Sequence, residues 1–487
     1  HLLDQFWSPL TNDLVGPYGA DTLENRMRFP MDVLGAIRKR VGSEFIVGFR
    51  YTADEAQKGG ITAEDGLKIS KTLADTGQLD FLNVVRGRIH TDPAMTDLIP
   101  IQGMKNAPHL DFAGQVKKLT GMPTFHAAKI PDVATARHAV EAGLLDMVGM
   151  TRAHMADPHV VKKIIEGRED DIRPCVGATY CLDRIYEAGD ALCIHNAATG
   201  RELTMPHTIQ PAEKKRKVVI VGAGPAGLEA ARVAAERGHN VVVFEAQPDP
   251  GGQIRLTAQS PRRREMISII DWRMAQCAAR DVEFNFNRWA EAGDVIDQKP
   301  DVVIIATGGM PNTELFETGK DSTHVVTSWD IIAGDVKPAD SILIYDESGD
   351  HAALQAAEVA ANTGAKVEIM TPDRTFSAGV MAMNLVPYMR SLQDKDTTFT
   401  VARRLLGVER RGNKLEAQIG TDYSDHSDIQ EYDQVVVNYG TLPLDELYFD
   451  LKDLSSNGGS VDHDALIKGH TQNIVKNSGG EFQLFRI

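Results

Sequence analysis

The apolar run Val218-Val219-Ile220-Val221 passes straight into Gly222-Ala223-Gly224-Pro225-Ala226-Gly227. A helical pattern follows over residues 228–237, and a second apolar run at 241–244 ends on Glu245. Few features restrict a fold as far as this strand–turn–helix–strand unit. Gly222 permits the tight turn, Gly224 lets the backbone approach a pyrophosphate, and Gly227 lets helix pack on strand. The pyrophosphate would rest at the helix N-terminus, and Glu245 would hydrogen-bond a ribose hydroxyl, which disfavours a 2′-phosphate. The expectation is a Rossmann-like α/β domain that binds an ADP-containing dinucleotide.

Upstream, apolar runs at 45–50, 79–85, 122–128 and 145–150 alternate with helical patterns at 62–76, 131–142 and 158–166. Apolar on both faces and separated by helices, these read as parallel strands. Four βα units make half of an eightfold barrel. Arg50, Arg86, Lys129 and Arg152 fall at or just after the four strand ends, where barrel enzymes build their sites, and together they point to a shared anionic ligand. A third α/β unit begins near Ser341, and strand character returns at 433–437. The chain is therefore expected to be α/β, with the C-terminal half of a (β/α)8 barrel over 1–167 (strands five to eight). A cysteine segment and linker would occupy 168–215. A two-dinucleotide module would follow, its first domain built from 216–335 with 433–487 and its second from 336–432.

A formal net charge of −16 argues against nucleic acid as a partner, because phosphate binding needs a basic surface. No apolar run approaches the ~18 residues of a membrane span, and no signal peptide is visible. Only four cysteines occur in the chain, which fits a reducing cytoplasm better than a disulfide framework.

Three of those four, Cys175, Cys181 and Cys193, fall within nineteen residues. Soft thiolates so placed suit an iron–sulfur cluster or zinc, and the paired Cys-x2-Cys common at zinc sites is absent. His195 could add a fourth ligand, though an ordinary loop histidine is the plainer reading. Cys277 lies in a helical pattern and reads as a buried small residue. A redox cluster beside a dinucleotide site describes a chain built to move electrons. In the third unit, Tyr345-Asp346-Glu347-Ser348-Gly349-Asp350-His351 occupies the turn where a second glycine fingerprint would hold NAD(P)H. Only Gly349 remains, and the carboxylates would oppose a pyrophosphate, so a degenerate nicotinamide site is expected.

The strings Tyr18-Gly19 and Leu23-Glu24-Asn25-Arg26-Met27-Arg28-Phe29, the opening His1-Leu2-Leu3-Asp4-Gln5-Phe6-Trp7-Ser8-Pro9-Leu10 and the cysteine segment together resemble one family. It is the Old Yellow Enzyme-like flavoproteins with an FMN barrel, a four-iron cluster and an FAD- or ADP-binding module, the group of trimethylamine dehydrogenase and 2,4-dienoyl-CoA reductase. The resemblance runs the full length. By it, Arg50 would contact the FMN isoalloxazine, where a cation stabilises the anionic reduced flavin. Ala128 and Lys129 would form one part of the phosphate site and Thr151 and Arg152 the other, although the family more often has Gly-Arg at both. Gly251-Gly252-Gln253 resembles the loop flanking the ADP half of FAD. The strand at 301–305 leads into Ala306-Thr307-Gly308-Gly309, which resembles the crossing between flavin and nicotinamide regions. Cys175, Cys181 and Cys193 would ligate the iron–sulfur cluster. Ala178 stands where the family has a further cysteine, which leaves open another ligand, a three-iron form or no cluster.

Trp7, Cys175-Val176-Gly177-Ala178-Thr179-Tyr180-Cys181 and Cys193-Ile194-His195-Asn196 look most like the amine-demethylase branch, which includes dimethylglycine and N-methylproline demethylases. That resemblance implies FMN-dependent oxidative N-demethylation of a small methylated amine or amino acid. Electrons would pass through the cluster to FAD or to an acceptor flavoprotein, and a homo-oligomer stays open. It also implies a fragment: four barrel strands and the catalytic residues would precede His1, and the family's chain would continue past Ile487. Two other readings stand beside it. One is an NAD(P)H-dependent enoate or 2,4-dienoyl-CoA-type reductase, and the other an ADP-binding module retained for structure alone.

Overall fold

A computed structural model describes residues 2–313 and 325–487; His1, at the head of the family-like opening string, lies outside the described residues. The chain divides into two compact units, His1–Thr179 and Tyr180–Ile487.

In the first unit β1 (Gly48–Asp54), β2 (Phe81–Arg86), β3 (Thr124–Ala127) and β4 (Met147–Gly149) form a parallel sheet in that order. Helices Ala63–Asp75, Leu110–Thr120 and Val133–Glu141 lie between successive strands. The first of these starts at a capping box, in which Thr62 and Asp65 each accept from the other's backbone N–H. The second stops at Gly121, whose φ of +68° closes the last turn. Phe49, Tyr51, Ala53, Leu82 and Val84 are buried with Ile69, Leu73, Ala113 and Val116 in one core. Contact there is so close that a Cβ on Gly66 would lie 1.6 Å from the Ala53 carbonyl oxygen. The alternate residues Arg50, Thr52, Asn83 and Val85 stay out of that core, as the two-residue period of a strand requires.

The first strand begins later than residue 45. Phe45 and Ile46 are 62% and 71% exposed, so the apolar run there is not strand, and buried alternation starts at Phe49. Arg50 consequently sits inside β1 rather than at its end. Arg86 is the last residue of β2, Lys129 lies just past β3, and Arg152 is in the helix Thr151–Ala156.

The second unit opens with β5 (Lys217–Val221), β6 (Asn240–Phe244), β7 (Glu283–Asn285) and β8 (Val302–Ile305). After these come β9 (Gly309–Pro311), β10 (Val325–Thr327), β11 (Ser341–Asp346), β12 (Lys366–Met370) and β13 (Thr397–Thr400). A three-stranded antiparallel meander follows, β14 (Arg404–Arg411), β15 (Lys414–Gly420) and β16 (Asp428–Tyr432). Then come β17 (Gln434–Asn438), β18 (Thr441–Pro443) and β19 (Gln483–Arg486). Two five-stranded parallel sheets result, ordered β19-β8-β5-β6-β7 and β10-β17-β11-β12-β13. Val435, Val436 and Val437 are apolar on both faces, and they are buried between β10 and β11 in the second sheet. That sheet therefore draws chain from before 336 and after 432. The first sheet regains the chain only at β19, which pairs with β8.

Candidate functional site

The glycine turn behaves as its spacing demands. A Cβ on Gly222, whose φ is +103°, would lie 2.3 Å from the Ala306 carbonyl oxygen, and one on Gly227 would lie 1.9 Å from that of Gly222. Both positions are closed by backbone. Gly224 differs: no atom lies within 4 Å of its Cβ position, and it caps the helix Pro225–Glu236 with Pro225 at the first turn. The open space above Gly224 is where a pyrophosphate can approach, so the cradle fits a dinucleotide. Glu245 is held beside it, its carboxylate accepting from the backbone N–H of Ala223 at 2.7 Å and of Gln247 at 2.9 Å. The Gly251-Gly252-Gln253 loop closes on the same turn through Gly251 N–H to the Ala223 carbonyl at 2.8 Å. Gln253, exposed, starts the helix Gln253–Thr257. Thr307 Oγ donates to the Leu444 carbonyl at 2.5 Å, and Gly308, with φ +69°, accepts from Leu444 N–H at 3.0 Å. The structure thus gathers Gly222, Gly224, Gly227, Glu245 and Gln253 around one turn, while Thr307 and Gly308 tie the next crossing to residue 444.

The second turn is built differently. Asp346 is fully buried and accepts from Asn438 Nδ2 at 2.9 Å and Gly349 N–H at 3.0 Å. Its other oxygen, Oδ2, has no hydrogen-bond partner, and burial pushes its carboxyl up to about 6. Asp350 shares the same Asn438 amide at 3.0 Å and caps the helix His351–Asn362. Glu347 accepts from Tyr345 Oη at 2.8 Å and Arg404 Nη1 at 2.6 Å. Three carboxylates, those of Asp346, Glu347 and Asp350, thus occupy this turn.

In the half-barrel a cavity of about 510 Å³ lies at the C-terminal ends of β1 and β2, among Arg50, Thr52, Glu55, Val85, Arg88 and His90. Arg50 forms no ion pair or hydrogen bond among the described residues, so its guanidinium is available to an anionic group. Asp4 joins the lining, its carboxyl raised chiefly by burial. Lys129, buried and at φ +45°, donates to the Met104 carbonyl at 2.5 Å. Arg152 Nη2 donates to the Pro100 carbonyl at 2.8 Å, and its Nη1 is buried without a partner. Both cations therefore lean on the 100–104 segment, and the orphaned Nη1 suits an anion such as a phosphate. Ala128 is half-buried beside Lys129, and Thr151 is exposed at the first turn of its helix. Sequence reasoning passed over Glu55, Arg88 and His90. The signal was there, since each lies within four residues of the end of β1 or β2.

The boundary between the two units falls inside the cysteine segment, between Cys175 and Cys181. All three cysteines are half-buried and outside any disulfide, and Cys277 is buried. Cys193 Sγ accepts the His195 backbone N–H at 3.4 Å, a contact that suits a thiolate ligand. No group of three or more His, Cys, Asp or Glu that could hold a metal ion occurs among the described residues.

Residues 1–171 match the NADH:flavin oxidoreductase / NADH oxidase family profile, and residues 216–474 match the pyridine nucleotide-disulphide oxidoreductase profile. The chain belongs to the NADH:flavin oxidoreductase / NADH oxidase family. It is an FMN-dependent oxidoreductase of the Old Yellow Enzyme-like group, in which the flavin barrel is followed by a dinucleotide module. It is 66% identical over 487 residues to a probable N-methylproline demethylase of Rhizobium meliloti (strain 1021), a match covering all of this chain and 71% of that protein. Over 473 residues it is 42% identical to the N,N-dimethylglycine/sarcosine dehydrogenase of Chromohalobacter salexigens, covering 96% of this chain and 68% of the relative. The structure of a 2-naphthoyl-CoA reductase–2-naphthoyl-CoA complex superposes with a TM-score of 0.84 at 27% identity, covering 100% of this chain and 68% of that one. Histamine dehydrogenase from Rhizobium sp. 4-9 gives the same TM-score of 0.84 and coverage at 24% identity, a likeness of fold. For this family member, no helix among the described residues is long and apolar enough to cross a membrane.

Proposed function

We propose that this family member oxidatively N-demethylates a small methylated amine or amino acid. The observation that carries the reading is the cavity at the ends of β1 and β2, where Arg50 presents an unpaired guanidinium to a space of about 510 Å³, large enough for a small substrate beside a flavin edge. Bound FMN supplies the acceptor for the hydride leaving the N-methyl carbon, and water splits the resulting iminium into formaldehyde and the demethylated amine. Arg50 would offer its cation to the bound flavin, where positive charge favours electron acceptance. Lys129 and Arg152, with the backbone at Ala128 and Thr151, hold the phosphate. The two relatives above, named for N-methylproline and for dimethylglycine and sarcosine, support the substrate class.

In the module, Gly222, Gly224, Gly227, Glu245 and Gln253 hold ADP or the ADP half of FAD, with Thr307 and Gly308 at the crossing. The carboxylate-filled turn at Asp346 and Asp350 favours an acceptor flavoprotein over NAD(P)+ as the electron sink. Cys175, Cys181 and Cys193 are the thiolates we assign to an iron–sulfur cluster, on donor chemistry and the Cys193 contact alone. The described residues show no ready-made group of three or more ligands. Four cysteines outside any disulfide fit a reducing cytoplasm.

An anaerobic absorbance titration tests the reading. Bleaching of the flavin band by N-methylproline or dimethylglycine, with formaldehyde released, is the expected result. Bleaching by NADH or NADPH alone would overturn it in favour of the enoate or dienoyl reductase.

A further inference from the structure

We propose that Arg88 anchors a carboxylate on the substrate, so that the half-barrel cavity selects N-methylated amino acids over simple methylated amines. The inference rests on the demethylase reading of the same cavity and narrows it.

Arg88 lies two residues past β2, in a loop that lines the cavity together with Arg50 and Thr52 of β1. Its guanidinium is held at two of its three nitrogens. Nε is 3.4 Å from Glu55 Oε1, and Nη1 donates to Gln57 Oε1 at 3.3 Å. Nη2 has no hydrogen-bond partner among the described residues. Arginine–carboxylate pairs are frequently bidentate, through two parallel N–H groups. Here a single 3.4 Å approach joins Arg88 to Glu55, and the Nη2 donors are left over.

Glu55 is itself immobilised. Only 6% exposed, it accepts from Ser8 Oγ at 2.7 Å and Ile61 N–H at 2.8 Å through Oε2. A Cβ on Gly60 would lie 2.5 Å from that oxygen, so the chain packs against the carboxylate. Glu55 therefore fixes Arg88 at Nε and leaves Nη2 to another acceptor. The Arg88 side chain is 19% exposed, and partial desolvation strengthens a charge-assisted hydrogen bond made there. His90, also on the lining and exposed, adds a second donor in the same loop. With Arg50 assigned to the flavin, Arg88 is the remaining cation in the cavity. A substrate carboxylate oxygen can accept from Nη2, a charge-assisted hydrogen bond, and the amine of an amino acid follows within one carbon.

The test compares N-methylproline with N-methylpyrrolidine, which lacks only the carboxylate, on the flavin-loaded holoenzyme. In Arg88→Ala, kcat/KM for N-methylproline should fall about 100-fold further than that for N-methylpyrrolidine. Calorimetry with L-proline, a non-methylated probe, should show binding to the wild type and none to Arg88→Ala. Arg88→Lys keeps the charge and the Glu55 pair, guards against simple loss of fold, and should bind L-proline about tenfold more weakly. Equal losses on both substrates, or L-proline binding that ignores the substitution, would overturn the assignment. If neither methylated compound reduces the flavin, the demethylase reading fails by itself. L-proline binding then decides Arg88: loss in the variant upholds the anchor, while no binding to the wild type removes it.

Discussion

Gly227 stands so close to Gly222 that a Cβ on the first would lie 1.9 Å from the carbonyl oxygen of the second. The helix Pro225–Glu236 can therefore sit against its strand only when residue 227 is glycine. Gly224, between them, faces open space. One six-residue motif thus contains two positions that backbone contact closes to a side chain and one that it leaves open.

Gly227→Ala and Gly224→Ala should consequently part company. The first forces backbone apart and should cost about 1–3 kcal/mol or more, seen as a lowered Tm. The second should leave Tm nearly unchanged and weaken ADP binding, measured by calorimetry. A Gly224→Ala protein that binds ADP as well as wild type would remove the cradle from the dinucleotide site.

Arg50 is exposed and has no partner among the described residues, so Arg50→Ala should change stability by about 0.5 kcal/mol at most. Loss of a charge aimed at the developing anion should instead slow flavin reduction by roughly 100-fold. Stopped-flow reduction kinetics beside a thermal melt separate the two. Unchanged kinetics would take Arg50 out of the flavin site.

The buried carboxyl of Asp346 gives a pH prediction. Its folded value of about 6 lies above the ordinary 3.8, so between those values the native state binds more protons than the unfolded chain. Stability attributable to this group then falls as pH rises from about 4 to 6, and the full cost, about 2–3 kcal/mol, is present above that window. Asp346→Asn retains an acceptor for Asn438 and Gly349 and removes the charge. It should be more stable than wild type in urea at pH 8 and close to it at pH 4. A variant less stable at pH 8 would show that the ionised carboxylate is worth more to the turn than its burial costs.

Cys193→Ala should lower the iron and acid-labile sulfide content of protein purified without oxygen. Full iron in that variant would exclude Cys193 as a ligand, and absence of iron from the wild type would exclude the cluster.

Much of this was legible in the chain because it is local. Helix Ala63–Asp75 begins at Thr62 because the cap is written within four residues, and the glycine turn is written within six. Apolar content alone misled at Phe45 and Ile46, which look like strand and lie exposed, because hydrophobicity does not say which apolar run finds a partner. The 433–437 strand was visible as a strand. Its place between β10 and β11 was not, since parallel sheets are ordered by crossovers rather than by neighbours along the chain.

By itself, the order of residues determined the βα alternation, the glycine cradle with Glu245, and the resemblance that named the flavin family. Each depends on groups a few bonds apart, where sterics and hydrogen bonding leave little choice. Only the tertiary structure set Arg88 against Glu55 across 32 intervening positions, braced Glu55 with Ser8, and brought Arg88 to the lining of a cavity. Those arrangements follow from which strands lie side by side. Strand neighbourhood is a property of the closed sheet, and no short stretch of sequence encodes it.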